Sequence, residues 1–475
     1  MEKLQREEVL EPVVDQYDDP YKRDAEGIKE PPKGWLDSLR YLGPGLIISA
    51  SIVGSGELIA TTALGAQAGF ALLWMVIFST FVKVAVQVEL ARWTISTGQP
   101  ALTGFNKVPP HWGRVGWVNW MWLVMVLSKY LQLGGIVGGT AVAFSVLIPI
   151  GSQPLGYTSI FIWTVIVVAM TVALLYSSHY SRVEGGAVWS VVIFSLVTVV
   201  IALGLPFTPF AYSAEDVLSG LTFSLPVGVI GAAIAMFGIT GIGADEMTYY
   251  TYWCLEKGYG RWVGPNDGTE AWADRARGWI RVMYKDAFLS WMIYTFSTLA
   301  FFIMGASVLK PQGLLPEGNK MITTLSNMYT SVLGEWANMI FLLGAIAALL
   351  STLWAATASN ARLFTNFLSV IGMVNWGDAK TRMRWFRIFT VVNPIFWGAT
   401  FLFLQSPVIM IQIAGVVTGV FLLAVVVAVW YLRKTEVDHR LYGARLFNTL
   451  LVISSLAIVL LGVYTGLNAF GLTPG

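Results

Sequence analysis

Long apolar runs separated by short polar stretches set the pattern of this chain. The runs lie near 44–66, 70–95, 116–148, 157–178, 185–206, 226–253, 284–308, 333–357, 386–404, 407–432 and 446–467. Each is long enough to cross a hydrocarbon core about 30 Å thick as a helix. The pattern predicts an all-α polytopic membrane protein with eleven spans. The third and sixth runs exceed a straight crossing and are expected to tilt, break or extend past the interface. A transmembrane domain over 41–467 would lie between a polar segment, 1–40, and a short tail, 468–475.

Composition agrees. Apolar residues make up 56% of the 475 positions and charged residues 12%, against about 25% charged in an ordinary soluble domain. The net charge of +2 implies no nucleic-acid partner, and the expected partners are membrane lipid and a small solute, with the chain acting as a monomer. Cys254 is the single cysteine, so no internal disulfide forms, and His111, His179 and His439 are too scattered for a zinc site. The polar first 40 residues do not read as a cleavable signal peptide, which leaves the first span as the insertion signal.

Lysine and arginine cluster in 1–40 and in the loops 254–285, 358–387 and 433–445, whereas the opposite side carries only Lys310 and Lys320. The positive-inside rule then places the N-terminus in the cytoplasm and the C-terminus outside, across an inner membrane. Residues 1–35 read as a flexible tail. Residues 358–385 could lie along the inner surface as an amphipathic segment or form an ordered loop.

Two spans carry glycines beside carboxylates, an arrangement costly in hydrocarbon. The first reads Ser51, Ile52, Val53, Gly54, Ser55, Gly56, Glu57, and the sixth reads Phe237 to Met247 with Gly238, Gly241 and Gly243 ahead of Asp245 and Glu246. Unwinding in the first would free the carbonyls of 51–55 and start a new half-helix near Glu57. Free carbonyls with a carboxylate make an oxygen-rich cation site. Spans one and six correspond if helices 1–5 and 6–10 form an inverted repeat, with an eleventh helix added. The candidate metal ligands are Ser51, Gly54, Glu57, Ile242, Asp245, Glu246 and Gln412. Glu57 could instead cap a half-helix and pair with a lysine. Asp245 and Glu246 point about 100° apart on a regular helix, so one of them is expected at the ion.

Other intramembrane polar groups have bland readings beside functional ones. Glu89 and Arg92, three apart, suit an intrahelical ion pair. Lys83 should pair with a carboxylate or line a water-filled cavity, structural pairing is the favoured reading for Lys129 too, and a lysine could instead stand in for a coupling cation. Gln412 could face the central cavity or make a packing contact. Gly134, Gly135, Gly138 and Gly139 give the third helix a close-packing face, and Pro394 should kink the ninth. Thr248 to Tyr252 could line a pathway or sit at the interface as aromatics.

The run GPGLIISASIVGSGELIATTALGAQAGFALLWMVIFSTF, with Gln87 to Arg92, LQLGGIVGGTAVAF and SRVEGGAVWSVVIF, resembles the Nramp divalent-metal transporters over most of 40–432. The resemblance implies a LeuT-type fold with broken helices 1 and 6. In that family the first break reads Asp-Pro-Gly-Asn, whose Asp and Asn bind the metal; here Gly54, Ser55, Gly56 and Glu57 stand there. The family's Met-Pro-His falls near Asp245, Glu246 and Met247, and its proton-coupling acidic pair is replaced by Tyr130 and Leu133. Loss of the thioether and gain of carboxylates shifts the preference toward hard ions such as Mg²⁺ or Mn²⁺, as in the Nramp-related magnesium transporters, without proton coupling. The alternative is a carrier of a small organic or anionic solute. Enzyme motifs are lacking, no ring of charges suggests a channel, and no cofactor is implied.

Overall fold

The computed structural model describes residues 19–151, 153–176 and 180–469. Among them, nine helical stretches are long and apolar enough to cross a membrane. The first, Pro44–Thr97, turns at Gly69 and supplies two spans. Gly69 has φ +63°, a left-handed conformation that glycine adopts without a steric penalty. With the fifth span, Tyr180–Gly204, the eleven expected helices are all present. His179 lies outside the described residues. Apart from a two-residue ladder between His111–Trp112 and Val115–Gly116, the described secondary structure is helical.

The helices that position the site are labelled here. The first span is α1 (Pro44–Ile52), a π-helical stretch (Val53–Thr61) and α2 (Thr62–Ala68). The second is α3 (Leu73–Thr97) and the third α4 (Trp117–Leu147). The sixth is split into α5 (Ile230–Ile239) and α6 (Ala244–Lys257). The seventh to tenth are α7 (Glu270–Met304), α8 (Ala337–Val370), α9 (Ala379–Leu404) and α10 (Pro407–Glu436).

Small residues set the closest approaches. A Cβ at Gly134 would lie 3.0 Å from the Trp397 carbonyl, and one at Gly135 would lie 2.8 Å from that of Pro407. The third helix therefore presses its glycine face against the ninth and tenth, as the sequence predicts. Pro394 lies inside α9, which continues through it. The neighbouring Asn393 accepts a hydrogen bond from the Tyr130 hydroxyl at 3.1 Å.

Three expectations change. Residues 358–370 continue the eighth helix and α9 begins at Ala379, so 358–385 is not an amphipathic surface segment. Asn360, Ala361, Leu363 and Phe367 are buried against the bundle, which is why the helix runs on. Thr248 to Tyr252 are also buried, so they are not interfacial aromatics. Tyr250 donates to Asp286, Tyr252 to Asn366, and Tyr249 accepts from Asn360.

The third change concerns the N-terminal segment, whose part from residue 19 is docked. Tyr21 donates to Glu256 at 2.7 Å, and Asp19 pairs with Arg382. The Lys29 amide donates to the Trp262 carbonyl, and the Trp279 indole donates to the Lys29 carbonyl. Burial and the nearby Glu256 carboxylate push the Tyr21 phenol well above its usual range, so it remains a donor near neutral pH. Glu256 is held from its other side by a two-pronged Arg362 contact, both prongs at 2.6 Å. Glu256→Gln removes the charge both partners share, a change of about 1.5–3 kcal/mol. Trypsin cleavage of the folded chain after Arg23 or Lys29 should then quicken about tenfold or more. An unchanged rate would mean that other contacts hold the segment.

Candidate functional site at the sixth-helix break

The last regular bond of α5 runs from the Thr240 amide to the Met236 carbonyl at 2.7 Å. Thr240 is extended and Gly241 left-handed at φ +65°. In a continuing helix the Gly241 amide would donate to the Phe237 carbonyl. Here the two are separated and each has another partner. The Glu57 carboxylate accepts from the Gly241 amide at 3.0 Å, and the Lys83 ammonium donates to the Phe237 carbonyl at 2.6 Å. Lys83 also donates to the Thr240 carbonyl at 2.6 Å, beside the Ser79 hydroxyl at 3.2 Å. A carboxylate from the first span and an ammonium from the second thus hold the break open. Both are fully buried. Buried backbone groups need such partners because leaving them bare is costly.

Thr61 donates to the Gly56 carbonyl at 2.9 Å, and its hydroxyl lies 3.2 Å from the other Glu57 oxygen and 3.0 Å from that of Thr240. A Cβ on Gly241 would meet Thr80 at 3.1 Å and the Tyr294 ring at 3.3 Å. Both the dihedral and the space therefore require glycine there.

At the start of α6 the two carboxylates diverge, as their adjacency predicts. Glu246 folds back to accept from the Gly243 amide at 3.0 Å. Asp245 faces the third helix, where Lys129 reaches it at 2.8 Å while also donating to Gln132 at 2.6 Å. Lys129 is thus paired as expected. Lys83 is bonded to main-chain oxygens, the arrangement a free cation would adopt.

The first span, expected to unwind, is interrupted by the π-helical stretch Val53–Thr61 and stays helical. Ser51 lies in α1 and Gly54 in the π-helical stretch. The Thr352 hydroxyl from α8 is inserted into the ladder: it accepts from the Gly54 amide at 3.1 Å and donates to the Ala50 carbonyl at 2.9 Å. That insertion widens the turn and bridges the Gly54 amide and the Ala50 carbonyl, which a regular α-helix would bond directly. The glycines serve close packing instead. A Cβ on Gly54 would lie 2.4 Å from the Thr352 hydroxyl, and one on Gly56 would lie 2.9 Å from the Ile239 carbonyl. Ile242 is buried within the extended stretch. Gln412 is half-buried on α10 and bonds to none of these groups.

Two positioning residues escaped the sequence reading. Asp286 accepts from the Gly43 and Gly45 amides at 2.8 and 2.6 Å and from the Tyr250 hydroxyl at 2.8 Å. It thereby ties the first, sixth and seventh spans together, and a carboxylate inside an apolar run was the signal for it. Thr352 carried no comparable signal, since a threonine in a membrane helix commonly bonds back within its own helix. The Glu89–Arg92 pair forms at 2.5 Å, with Arg433 of the tenth helix as a second partner.

Among the described residues, no three His, Cys, Asp or Glu side chains group closely enough to hold a metal ion. What the break offers is main-chain oxygen, a few carboxylates and two lysines in a dry interior.

The bundle has a LeuT-type fold. A manganese transporter from Eremococcus coleocola superimposes with a TM-score of 0.64 over 95% of this chain and 92% of that one, at 14% identity. MhsT bound to L-phenylalanine gives 0.53 over 92% and 100%, at 16% identity. These likenesses carry the fold alone.

The profile of the Nramp family, natural resistance-associated macrophage protein-like, matches residues 45–468. The chain belongs to that family. It is 25% identical to the divalent metal cation transporter MntH of Mycobacterium leprae over 331 residues, 69% of this chain and 70% of that one. The metal transporter Nramp3 of Arabidopsis thaliana is 28% identical over 120 residues, 25% of this chain. The aligned stretches span 22–39% of the length of this and three other plant relatives.

Proposed function

We propose that this chain is a transporter, not an enzyme, and that it carries a divalent metal cation through the break by alternating access. Mg²⁺ or Mn²⁺ is the preferred ion and protons are not coupled. One observation carries the reading: the carbonyls of Phe237 and Thr240 converge on a cation, the Lys83 ammonium. An entering ion would lie beside this ammonium, with Glu57, the Ile242 carbonyl and one of Asp245 and Glu246 as its oxygen donors. Hard oxygen donors without a thioether suit Mg²⁺ and Mn²⁺ better than softer ions. The absence of proton coupling rests on Tyr130 and Leu133 at the positions of the family's acidic pair. In this reading, which the cationic loops support, residues 1–40 face the cytoplasm and 468–475 lie outside an inner membrane, and the chain acts as a monomer.

The test is uptake of Mg²⁺ and Mn²⁺ into proteoliposomes, wild type beside Glu57→Gln, with internal pH followed. Glutamine keeps an oxygen for the Gly241 amide but removes the charge. Uptake should therefore fall about 10- to 100-fold in a folded protein, with no pH change accompanying wild-type flux. The two buried lysines favour a second reading, a small organic or anionic solute. Absence of flux for both ions in folded wild type would select it.

A further inference from the structure

We propose that Lys83 is a tethered internal cation, filling at the sixth-helix break the place that a co-transported monovalent ion would otherwise need to fill. The inference rests on the reading of the break as a cation shell, but not on which solute is carried.

The carbonyls of Phe237 and Thr240 lie at the C-terminal end of α5, where the helix dipole concentrates partial negative charge. Leaving both without partners inside a membrane protein is costly. A hydroxyl could serve one, and Ser79 does approach Thr240 at 3.2 Å. The chain nevertheless places the Lys83 side-chain nitrogen there, 2.6 Å from each oxygen and 5.0 Å from the Phe237 ring centroid. Burying an ammonium is justified only where its surroundings replace water. Here they do so with two carbonyls, an aromatic face and the electrostatic reach of Glu57 and Glu246.

The stem of Lys83 also joins the second helix to the end of α5. A free ion in that position would make the same bridge, but only at the concentration the cell supplies. Tethering makes the bridge permanent and removes the dependence. Wild-type function should accordingly be indifferent to Na⁺ and K⁺. Cutting the tether should create a need for them.

The experiment uses the full chain in detergent, with thermal unfolding followed at constant ionic strength in choline, Na⁺, K⁺ or n-propylammonium chloride. Wild type should melt at one temperature in all four. Lys83→Ala should melt several degrees lower in choline and regain most of that loss, saturably, in Na⁺ or n-propylammonium, as ligand linkage requires. Lys83→Met, which fills the space with an apolar stem, should be destabilised and not restored by any cation. If Lys83→Ala does not survive in choline, Lys83→Ser, which keeps a hydroxyl for one carbonyl, takes its place in the same series.

A melting temperature of the folded alanine or serine variant that is the same in all four salts would overturn the proposal. Restoration of the methionine variant to the same degree would also overturn it, because the cation would then be acting elsewhere. The two ideas fail separately. Cation-restored Lys83→Ala in a chain that moves neither Mg²⁺ nor Mn²⁺ removes the metal reading and leaves the tether. Metal uptake with no cation dependence in the variants does the reverse.

Discussion

Lys129→Met should lower the stability of the folded chain by about 3–5 kcal/mol, the usual consequence of removing one partner from a buried ion pair. Lys129 and Asp245 are 1% and 5% exposed and 2.8 Å apart, so the substitution leaves Asp245 as a buried carboxylate without its cationic partner. The complementary change, Asp245→Asn, should be milder. Glu246 lies within electrostatic reach of Lys129, which retains a partner when Asp245 is neutralised. The double variant Lys129→Met/Asp245→Asn should recover most of the loss, since neither charge is then left buried without its partner. Thermal unfolding of the four proteins closes the cycle. Additive effects would mean that the pair is not a coupled unit.

Gly238→Ala should be more damaging, costing more than about 3 kcal/mol and abolishing uptake. A Cβ there would lie 1.9 Å from the Gly415 carbonyl and 2.9 Å from the Gly419 amide. Both are main-chain atoms of α10 and cannot swing aside as a side-chain end would. Overpacking ordinarily costs about 1–3 kcal/mol, and a backbone-to-backbone clash lies at or beyond the top of that range. Gly231→Ala, one helix turn and more away in α5, is the control. Its Cβ would meet nothing within 4 Å, so it should be neutral or gain up to about 1 kcal/mol from helix propensity. Equal effects at both positions would remove steric packing as the explanation.

Much of the fold was legible because membrane crossing imposes a length and a hydropathy that survive in any sequence that obeys them. The sixth-helix break was visible for the same reason: Gly241 and Gly243 ahead of Asp245 and Glu246 have no place in an undisturbed membrane helix. The first helix shows the limit. Gly54 and Gly56 beside Glu57 present the same local signal, yet there it marks close approach to Thr352 and Ile239. Glycine permits unwinding and close packing alike, and the partner that decides between them lies nearly 300 positions away in the chain. The surroundings of Lys83 were hidden on a related account. The partner of Lys83 is main-chain carbonyl, and a sequence shows only side chains. The docked part of the N-terminal segment was hidden because its few anchors, Asp19, Tyr21 and Lys29, look like any polar leader until Arg382, Glu256 and Trp262 are placed beside them.

The threonine inserted into the first helix has a consequence for rotational phase. A π turn takes in one more residue than an α turn before its hydrogen bond closes, so side chains beyond Val53 face about 100° away from where a continuous α-helix would aim them. Glu57 and Thr61 point at the sixth helix because of that offset. Deleting a single residue between Val53 and Gly56 would restore α register and swing Glu57 off the Gly241 amide. The spacing between Thr352's foothold and Glu57 is therefore an angular setting, and the aim of the carboxylate depends on a hydroxyl of the eighth helix, which packs directly against the first.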